Sequence, residues 1–383
     1  MMVKINNILH FFTTIQLKFG YYEKNILKLF TFRPAVKSIS LTPNEQRVLY
    51  GLVRYPGFSD SALSQEINVK LSTLTSIKRR LHDQGVYRQL LVPLLNRLGS
   101  ELLAVIYTQF NPVIPLEERV SITKRTIEVF DEIFFSIGEQ EKGFSISLSK
   151  NYTSIGRIND IRTETFGSLG LLEKEYPSEV IFPFKTSEII HFFDFNRVLA
   201  SMFSLHNPGS NSDINCFKDD KIYSLTEKEK SVYAALVQFP TATTQQIGEK
   251  VGLSRHTVSR MKNKFFDLSL LKHLTIPDMR QLGFEILSFY HYQFSPGKAP
   301  NLDDILHLDS PSTVFLARRK YEIVMVSAYQ TYQEYKEDKM KKIRYLKEND
   351  FISYNPLVRK YMFERMVFLK NFVFHPIAKK IIE

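Results

Sequence analysis

Between Ser254 and Phe265 the chain reads SRHTVSRMKNKF, and at helical spacing one side of this stretch carries Arg255, His256, Ser259, Arg260, Asn263 and Lys264. These six are cationic or hydrogen-bonding groups, and no carboxylate stands among them. An arginine can grip a guanine edge with two parallel hydrogen bonds, an asparagine can do the same at adenine, and a lysine neutralises phosphate. The chemistry open to this set is recognition of a nucleic-acid duplex. A solvated helix in an ordinary bundle would use the same residue types, so the elements around the stretch must decide between the two.

Those elements carry their own signatures. Thr226 and Glu229 form an S/T-x-x-E capping box, in which each side chain satisfies one amide left free at a helix start, so a first helix begins there. Val232, Tyr233, Leu236 and Val237 recur on one face. Phe239-Pro240 ends the run, because proline disfavours helical geometry in the residue before it. Thr243 or Thr244 caps a second helix with Ile247 and Val251 inward, and Gly252 supplies a sharp turn without a Cβ penalty. Ser254 caps the third helix, whose inward side reads Val258, Met261 and Phe265. Three helices so spaced read as a helix-turn-helix, with the basic third helix as reader.

The pattern occurs twice. Leu41 to Leu81 matches Leu225 to Phe265 without a gap at an offset of 184, and the offset continues from Tyr55-Pro56 to Phe239-Pro240, from Leu98-Gly99 to Leu282-Gly283, and from Phe110 and Pro112 to Phe294 and Pro296. Thr42 and Glu45 repeat the capping box. Asn68 stands where Gly252 stands, and these two residue types best tolerate positive φ. The chain therefore reads as a tandem duplication. The first copy departs in its reader: Lys70 replaces the capping Ser254, Leu71 replaces Arg255 and Ser76 replaces Arg260, while Lys78, Arg79 and Arg80 gather toward the helix C-terminus. Cations there reach phosphate more readily than base edges, so copy one is expected to position and copy two to specify.

After each reader comes a short apolar piece and then Pro-x-x-x-x-Leu-Gly, at Pro93 to Gly99 and Pro277 to Gly283. With Leu253, Ser254, Thr257, Val258 and Arg260 in an LSxxTVxR-like helix and Pro277, Leu282 and Gly283 in the linker, the chain resembles the Lrp/AsnC regulators. The resemblance implies a winged helix-turn-helix followed by a small ferredoxin-like module for ligand binding and dimer formation. Sirohaem decarboxylases look like paired modules of the same kind that lost DNA binding, which keeps a tetrapyrrole enzyme open as an alternative. A protein-interaction scaffold built on winged helices is a third class.

The remaining segments fit that plan. Leu102–Phe110, Glu132–Ile137, Phe144–Leu148 and Glu179–Phe184 read as strands, with helices over Leu116–Phe130 and Tyr152–Lys174, which is the β-α-β-β-α-β order. The second half repeats it over Phe284–Phe294, Leu302–Leu308, Thr313–Leu316, Ile323–Ala328, Tyr332–Lys347 and Ser353 onward. Ser187–Phe203 and Glu364–Ile382 lie beyond the plan and are expected to pack the halves together. The fold class is thus α+β: two winged helix-turn-helix domains (41–99 and 225–283), each followed by a ferredoxin-like domain (100–203 and 284–383), with a linker at 204–224 and a basic amphipathic extension at 1–40.

Composition agrees with a basic, globular chain: 383 residues, net charge +11 and 44% hydrophobic content suit several small cores and a polyanionic partner. The single cysteine, Cys216, excludes an internal disulfide and a thiolate metal cluster within one chain. The histidines show no metal-ligand spacing, and no phosphate-cradling glycine loop or nucleophile elbow is visible. The reading is therefore a DNA-binding transcription regulator in the cytoplasm, not an enzyme, with no cofactor, metal or membrane span, and with no identified catalytic residue. Arg255, His256, Ser259, Arg260 and Asn263 are expected to read bases, and Lys262, Lys264, Lys78, Arg79, Arg80, Ser72 and Thr75 to bind phosphate. Double-stranded DNA is the expected partner. The family resemblance adds a small effector such as an amino acid and a homodimer formed through the ferredoxin-like domains.

Overall fold

Side-chain oxygens at the predicted caps start the helices. The computed structural model describes residues 38–173, 175–205, 217, 221–353 and 355–383, so all but the last three residues of the extension at 1–40, most of the linker and Cys216 lie outside the described residues. The first half comprises α1 (Pro43–Arg54), α2 (Asp60–Glu66), α3 (Leu71–Asp83), β1 (Tyr87–Pro93), β2 (Leu102–Gln109), α4 (Leu116–Glu128), β3 (Ile133–Gly138), β4 (Lys142–Ser149), α5 (Tyr152–Ser168), β5 (Ser178–Pro183), β6 (Glu188–Phe192) and α6 (Asn196–Met202). The second comprises α7 (Glu227–Gln238), α8 (Thr244–Val251), α9 (Arg255–Asp267), β7 (Leu271–Pro277), β8 (Ile286–Gln293), α10 (Leu302–Leu308), β9 (Thr313–Arg319), β10 (Glu322–Tyr329), α11 (Tyr332–Glu348), β11 (Leu357–Met362), β12 (Val367–Asn371) and α12 (His375–Ile382). Thr42 and Thr226 both close complete capping boxes, and Asn68 and Gly252 both take the left-handed conformation, at φ 51° and 69°. The helix expected over 152–174 ends at Ser168, because Gly170 turns left-handed and Leu172 bridges to Phe110.

The sheets carry the α+β plan and add to it. One has the order β12-β3-β4-β2-β5 and the other β11-β8-β10-β9-β6. Within each, four strands follow the ferredoxin-like arrangement, and the fifth comes from the opposite half. β6 pairs antiparallel with β9, and β12 pairs antiparallel with β3. The segments expected to pack the halves together are thus an exchange of edge strands. Each sheet gains hydrogen-bond partners along an edge that would otherwise stay open.

Strand alternation sorts the core. Leu102, Ala104 and Ile106 of β2 face Val120, Ile127, Ile155 and Ile158 of α4 and α5, while Leu103 and Val105 join the core shared by the two halves. There Phe144 meets Phe289 with ring centroids 4.9 Å apart and Tyr361 at 5.5 Å. Aromatic residues also seat the exchanged strands. Phe134 stacks on Phe374 at 4.7 Å and touches Phe192, Phe193 and Phe372, while Phe193 meets Phe372 edge to face at 4.5 Å. Phe193 and Phe372 both hold positive φ, at 53° and 57°. A bulky residue held left-handed costs roughly 1–2 kcal/mol, which burial of the two rings offsets.

Among the described residues, 39–383 form one compact unit. Phe134→Ala is expected to destabilise it by about 3–5 kcal/mol, because the truncated ring leaves a cavity beneath both exchanged segments. Urea unfolding would show a lower midpoint at unchanged slope, whereas a loss below about 1 kcal/mol would show that the exchange does not depend on this ring.

Candidate nucleic-acid interface

The reader helix α9 is fixed from both ends. At the start of α9, Ser254 Oγ accepts a hydrogen bond from the Thr257 amide at 3.2 Å. A Cβ on Gly248 would sit 2.5 Å from the Leu253 carbonyl oxygen, so only glycine lets α8 come this close to the turn. Val258 and Phe265 are buried, and Phe265 meets the Tyr233 ring edge to face at 5.3 Å. Tyr233 in turn donates to the Leu270 carbonyl at 2.9 Å. The far end is tied by Glu229, which caps α7 and also accepts a hydrogen bond from Lys264 Nζ at 2.5 Å. Glu45 does the same in the first copy, capping α1 and pairing with Arg80.

Of the residues expected to read bases, Arg255, His256, Arg260 and Asn263 are exposed and Ser259 is half-buried. His256, Ser259, Arg260, Asn263 and Lys264 line one shallow open groove with Asp267 and Leu268. Among the described residues no ion pair holds Arg255 or Arg260. The phosphate-binding set divides differently. Lys78 pairs with Asp60 at 2.6 Å, Arg80 with Glu45 and Lys264 with Glu229, while Lys262 is half-buried with its pKa lowered by that burial. Thr75 Oγ1 is turned back onto the Leu71 carbonyl at 2.9 Å. Arg79 and Ser72 stand exposed.

The wings are built jointly. β1 and β7 form a two-stranded antiparallel ribbon running from Tyr87 opposite Pro277 to Pro93 opposite Leu271. The Leu94 amide donates to the Leu270 carbonyl at 2.9 Å and the Asp278 amide to the Val86 carbonyl at 2.7 Å, a reciprocal pair across the duplication. His273 of β7 lies flat on Phe266 at 4.5 Å, with Gly57 of the first copy against its ring. Burial, with Lys262 nearby, pushes its pKa down to about 4, so it is a neutral packing group. The ribbon is anchored below by Arg88, which donates to the Asn371 carbonyl at 2.9 Å and covers the Phe372 ring at 5.4 Å.

A second polar constellation lies where the two ferredoxin-like modules meet. Tyr107 of β2 and His291 of β8 occupy equivalent positions, 184 residues apart, and Tyr107 Oη lies 3.1 Å from His291 Nδ1. His291 Nε2 lies 2.8 Å from Glu322 Oε1, Arg319 pairs with the same carboxylate, and the Arg359 guanidinium sits 4.9 Å from the centre of the Tyr107 ring. Burial raises the Tyr107 pKa, while for Glu322 it is outweighed by His291 and Arg319, which hold its carboxyl below the usual range. Among the described residues no cluster of three or more His, Cys, Asp or Glu side chains could hold a metal ion, and no helix is long and apolar enough to cross a membrane. Sequence reading missed the shared ribbon, the carboxylate tie and this Tyr–His–Glu chain. The repeat offset was the available signal, since it equates Tyr107 with His291 and Glu45 with Glu229.

No family model matches the chain, and no curated protein does. Among solved structures it is similar to the siroheme decarboxylase NirDL at 11% identity, covering 88% of this chain and 98% of that one with a TM-score of 0.48. It is also similar to AsnC of E. coli (14% identity, 37% of this chain, 92% of that one, TM-score 0.30) and to LrpC of B. subtilis (16%, 37%, 93%, 0.29). The expectation that the chain is not an enzyme is corrected: one solved structure to which it is similar over most of its length is that of an enzyme.

The ties at Glu45 and Glu229 have a pH signature. Burial opposes their ionisation, but hydrogen bonds from Thr42 and Arg80, and from Lys264 and Thr226, outweigh it and leave both pKa values lowered. A lowered folded-state pKa adds stability that is present above the ordinary glutamate value and is lost as pH falls through the folded value. Glu229→Gln retains a capping amide but removes the charge, so the variant should lose less stability than the wild type on acidification from pH 7 to pH 3. Parallel urea midpoints for the two proteins across that range would exclude the carboxylate as a source of acid lability.

Proposed function

We propose that the chain binds double-stranded DNA through its two helix-turn-helix units, with α9 reading base edges and α3 anchoring on phosphate. The observation that carries this reading is the outer face of α9, where Arg255, His256, Arg260 and Asn263 are exposed together on a helix tied at both ends. A rigid helix that presents arginine and asparagine fits the major groove, in which both have geometrically matched partners. The shared β1–β7 ribbon supports simultaneous docking, because it fixes the relation of one reader to the other and favours half-sites about one DNA turn apart. Divergence of α3 from α9 favours an asymmetric site. Lys264, Arg80 and Lys78 act in this reading through their carboxylate partners as braces, which leaves Arg79 and Ser72 as the first copy's phosphate contacts. Regulation of transcription, with a small effector held by the ferredoxin-like modules, is the use this architecture would serve.

A second reading is favoured by the Tyr107–His291–Glu322 chain, which places paired acid–base groups between the modules. In that reading the protein is an enzyme of paired modules acting on a tetrapyrrole, in the manner of a siroheme decarboxylase.

Selection of bound sites from random duplexes tests the first reading. Arg260→Ala should weaken the selected site by roughly 1–3 kcal/mol and relax its sequence preference, whereas Arg79→Ala should weaken all duplexes evenly and lower the salt slope by about one. Equal loss on selected and random DNA for Arg260→Ala would remove its reading role. For the second reading, titration with an iron tetrapyrrole should produce a shifted Soret band in the wild type. An unshifted spectrum at micromolar protein would count against it.

A further inference from the structure

The hydrogen-bonded chain between the modules is polarised in a way that packing alone does not require. In a symmetric pair the positions of Tyr107 and His291 would carry one residue type facing itself. Here they differ, so a hydroxyl from one half meets an imidazole nitrogen from the other at 3.1 Å. His291 is buried and its second nitrogen lies 2.8 Å from the buried Glu322 carboxylate. An ionised carboxylate can only accept, so Nε2 carries a proton, and in the neutral imidazole Nδ1 is the acceptor facing Tyr107. The order is hydroxyl, base, orienting carboxylate, the arrangement that activates a hydroxyl. Glu322 is fixed in turn by Arg319 and by Gln293, which donates at 3.3 Å.

The chain reaches partly exposed residues at both ends, Tyr107 at one and the partners of Glu322 at the other. Tyr107 is half-buried, Gln293 is exposed and the Arg319 side chain is 45% exposed. Arg319 is paired with Glu322 at one end of the chain, and at the other the buried Arg359 lies over the Tyr107 ring and donates to the Thr108 carbonyl at 2.8 Å. We propose that Tyr107, His291 and Glu322 form an acid–base site in which the Tyr107 hydroxyl is the reactive group and His291 takes and returns its proton. This deepens the catalytic reading by naming its reactive atom, and α9 contributes no residue to it.

The site can be tested without its substrate by acylation with N-acetylimidazole. Tyr107 Oη forms a bond to the acetyl carbon, the carbon–nitrogen bond to imidazole breaks, and the tyrosine proton passes to His291 Nδ1 and then to the departing imidazole. Peptide mass spectrometry reads the labelling rate of Tyr107 against Tyr176, whose exposure is 78%. A relay should label Tyr107 at least about tenfold faster than Tyr176, and His291→Gln should slow Tyr107 by at least about 100-fold, the lower bound of general-base assistance, while Tyr176 stays unchanged. Glu322→Gln should give a smaller loss of the same sign, and near-ultraviolet circular dichroism checks that both variants keep the wild-type fold. Labelling of Tyr107 slower than Tyr176, or a rate indifferent to His291→Gln in a folded variant, would make the chain a packing feature and overturn the proposal. The tetrapyrrole titration tests the substrate class and the labelling tests the residue, so the two can fail separately.

Discussion

Each ferredoxin-like sheet is completed by a strand from the opposite half. An open sheet edge exposes a row of amides and carbonyls, and the exchange of β6 and β12 closes one such edge in each half. The backbone repeats the exchange beyond the ladders: the Val373 amide donates to the Phe134 carbonyl at 2.8 Å, and the Asp194 amide donates to the Val314 carbonyl at 2.8 Å. The aromatic cluster around Phe134 then excludes water from both crossings. With the halves locked in this way, the ribbon above them and the polar chain between them each acquire a fixed geometry.

The duplication is close to symmetric in its hydrogen bonds and asymmetric in its charges. Buried cations show this. Arg162 on α5 and Lys342 on α11 occupy equivalent helical positions beneath their sheets, yet Lys342 is held by Asp338 and Ser310, while Arg162 donates to Thr108 Oγ1 at 3.3 Å and its other two guanidinium nitrogens find no hydrogen-bond partner among the described residues. The exchanged strands differ likewise. His191 on β6 lies 2.8 Å from Asp309, which Arg197 joins at 2.5 Å, whereas on β12 the buried Lys370 donates to the Phe130 carbonyl at 2.6 Å. Burial pushes the Lys370 pKa down to about 8. Heterologous pairs of this kind favour the two unlike halves over a pairing of either with itself.

The same asymmetry reaches the readers. Both α3 and α9 are tied at the far end to the carboxylate of a capping box, so their pitch is fixed by the same interaction. Their exposed faces diverge because nothing in the core constrains them. In α9 the outer face keeps Arg255 and Arg260 outside any ion pair among the described residues, while in α3 the corresponding positions are Leu71 and Ser76 and two of the three cations are held by acids.

The sequence by itself determined the local elements. Caps at Thr42, Thr226 and Ser254, the left-handed turns at Asn68 and Gly252, and the existence of β2 as an apolar strand all rest on local residue type and spacing. The repeat offset also made the α+β plan and its duplication legible. Tertiary structure alone decided which edge each last strand would join, that the two wings would share a ribbon, and that Lys78, Arg80 and Lys264 would be held by acids. Those outcomes depend on partners 18 to more than 180 residues away, and the pattern of one segment does not specify which distant group will meet it. For the same reason the facing of Tyr107 and His291 emerged only when the two halves were brought together.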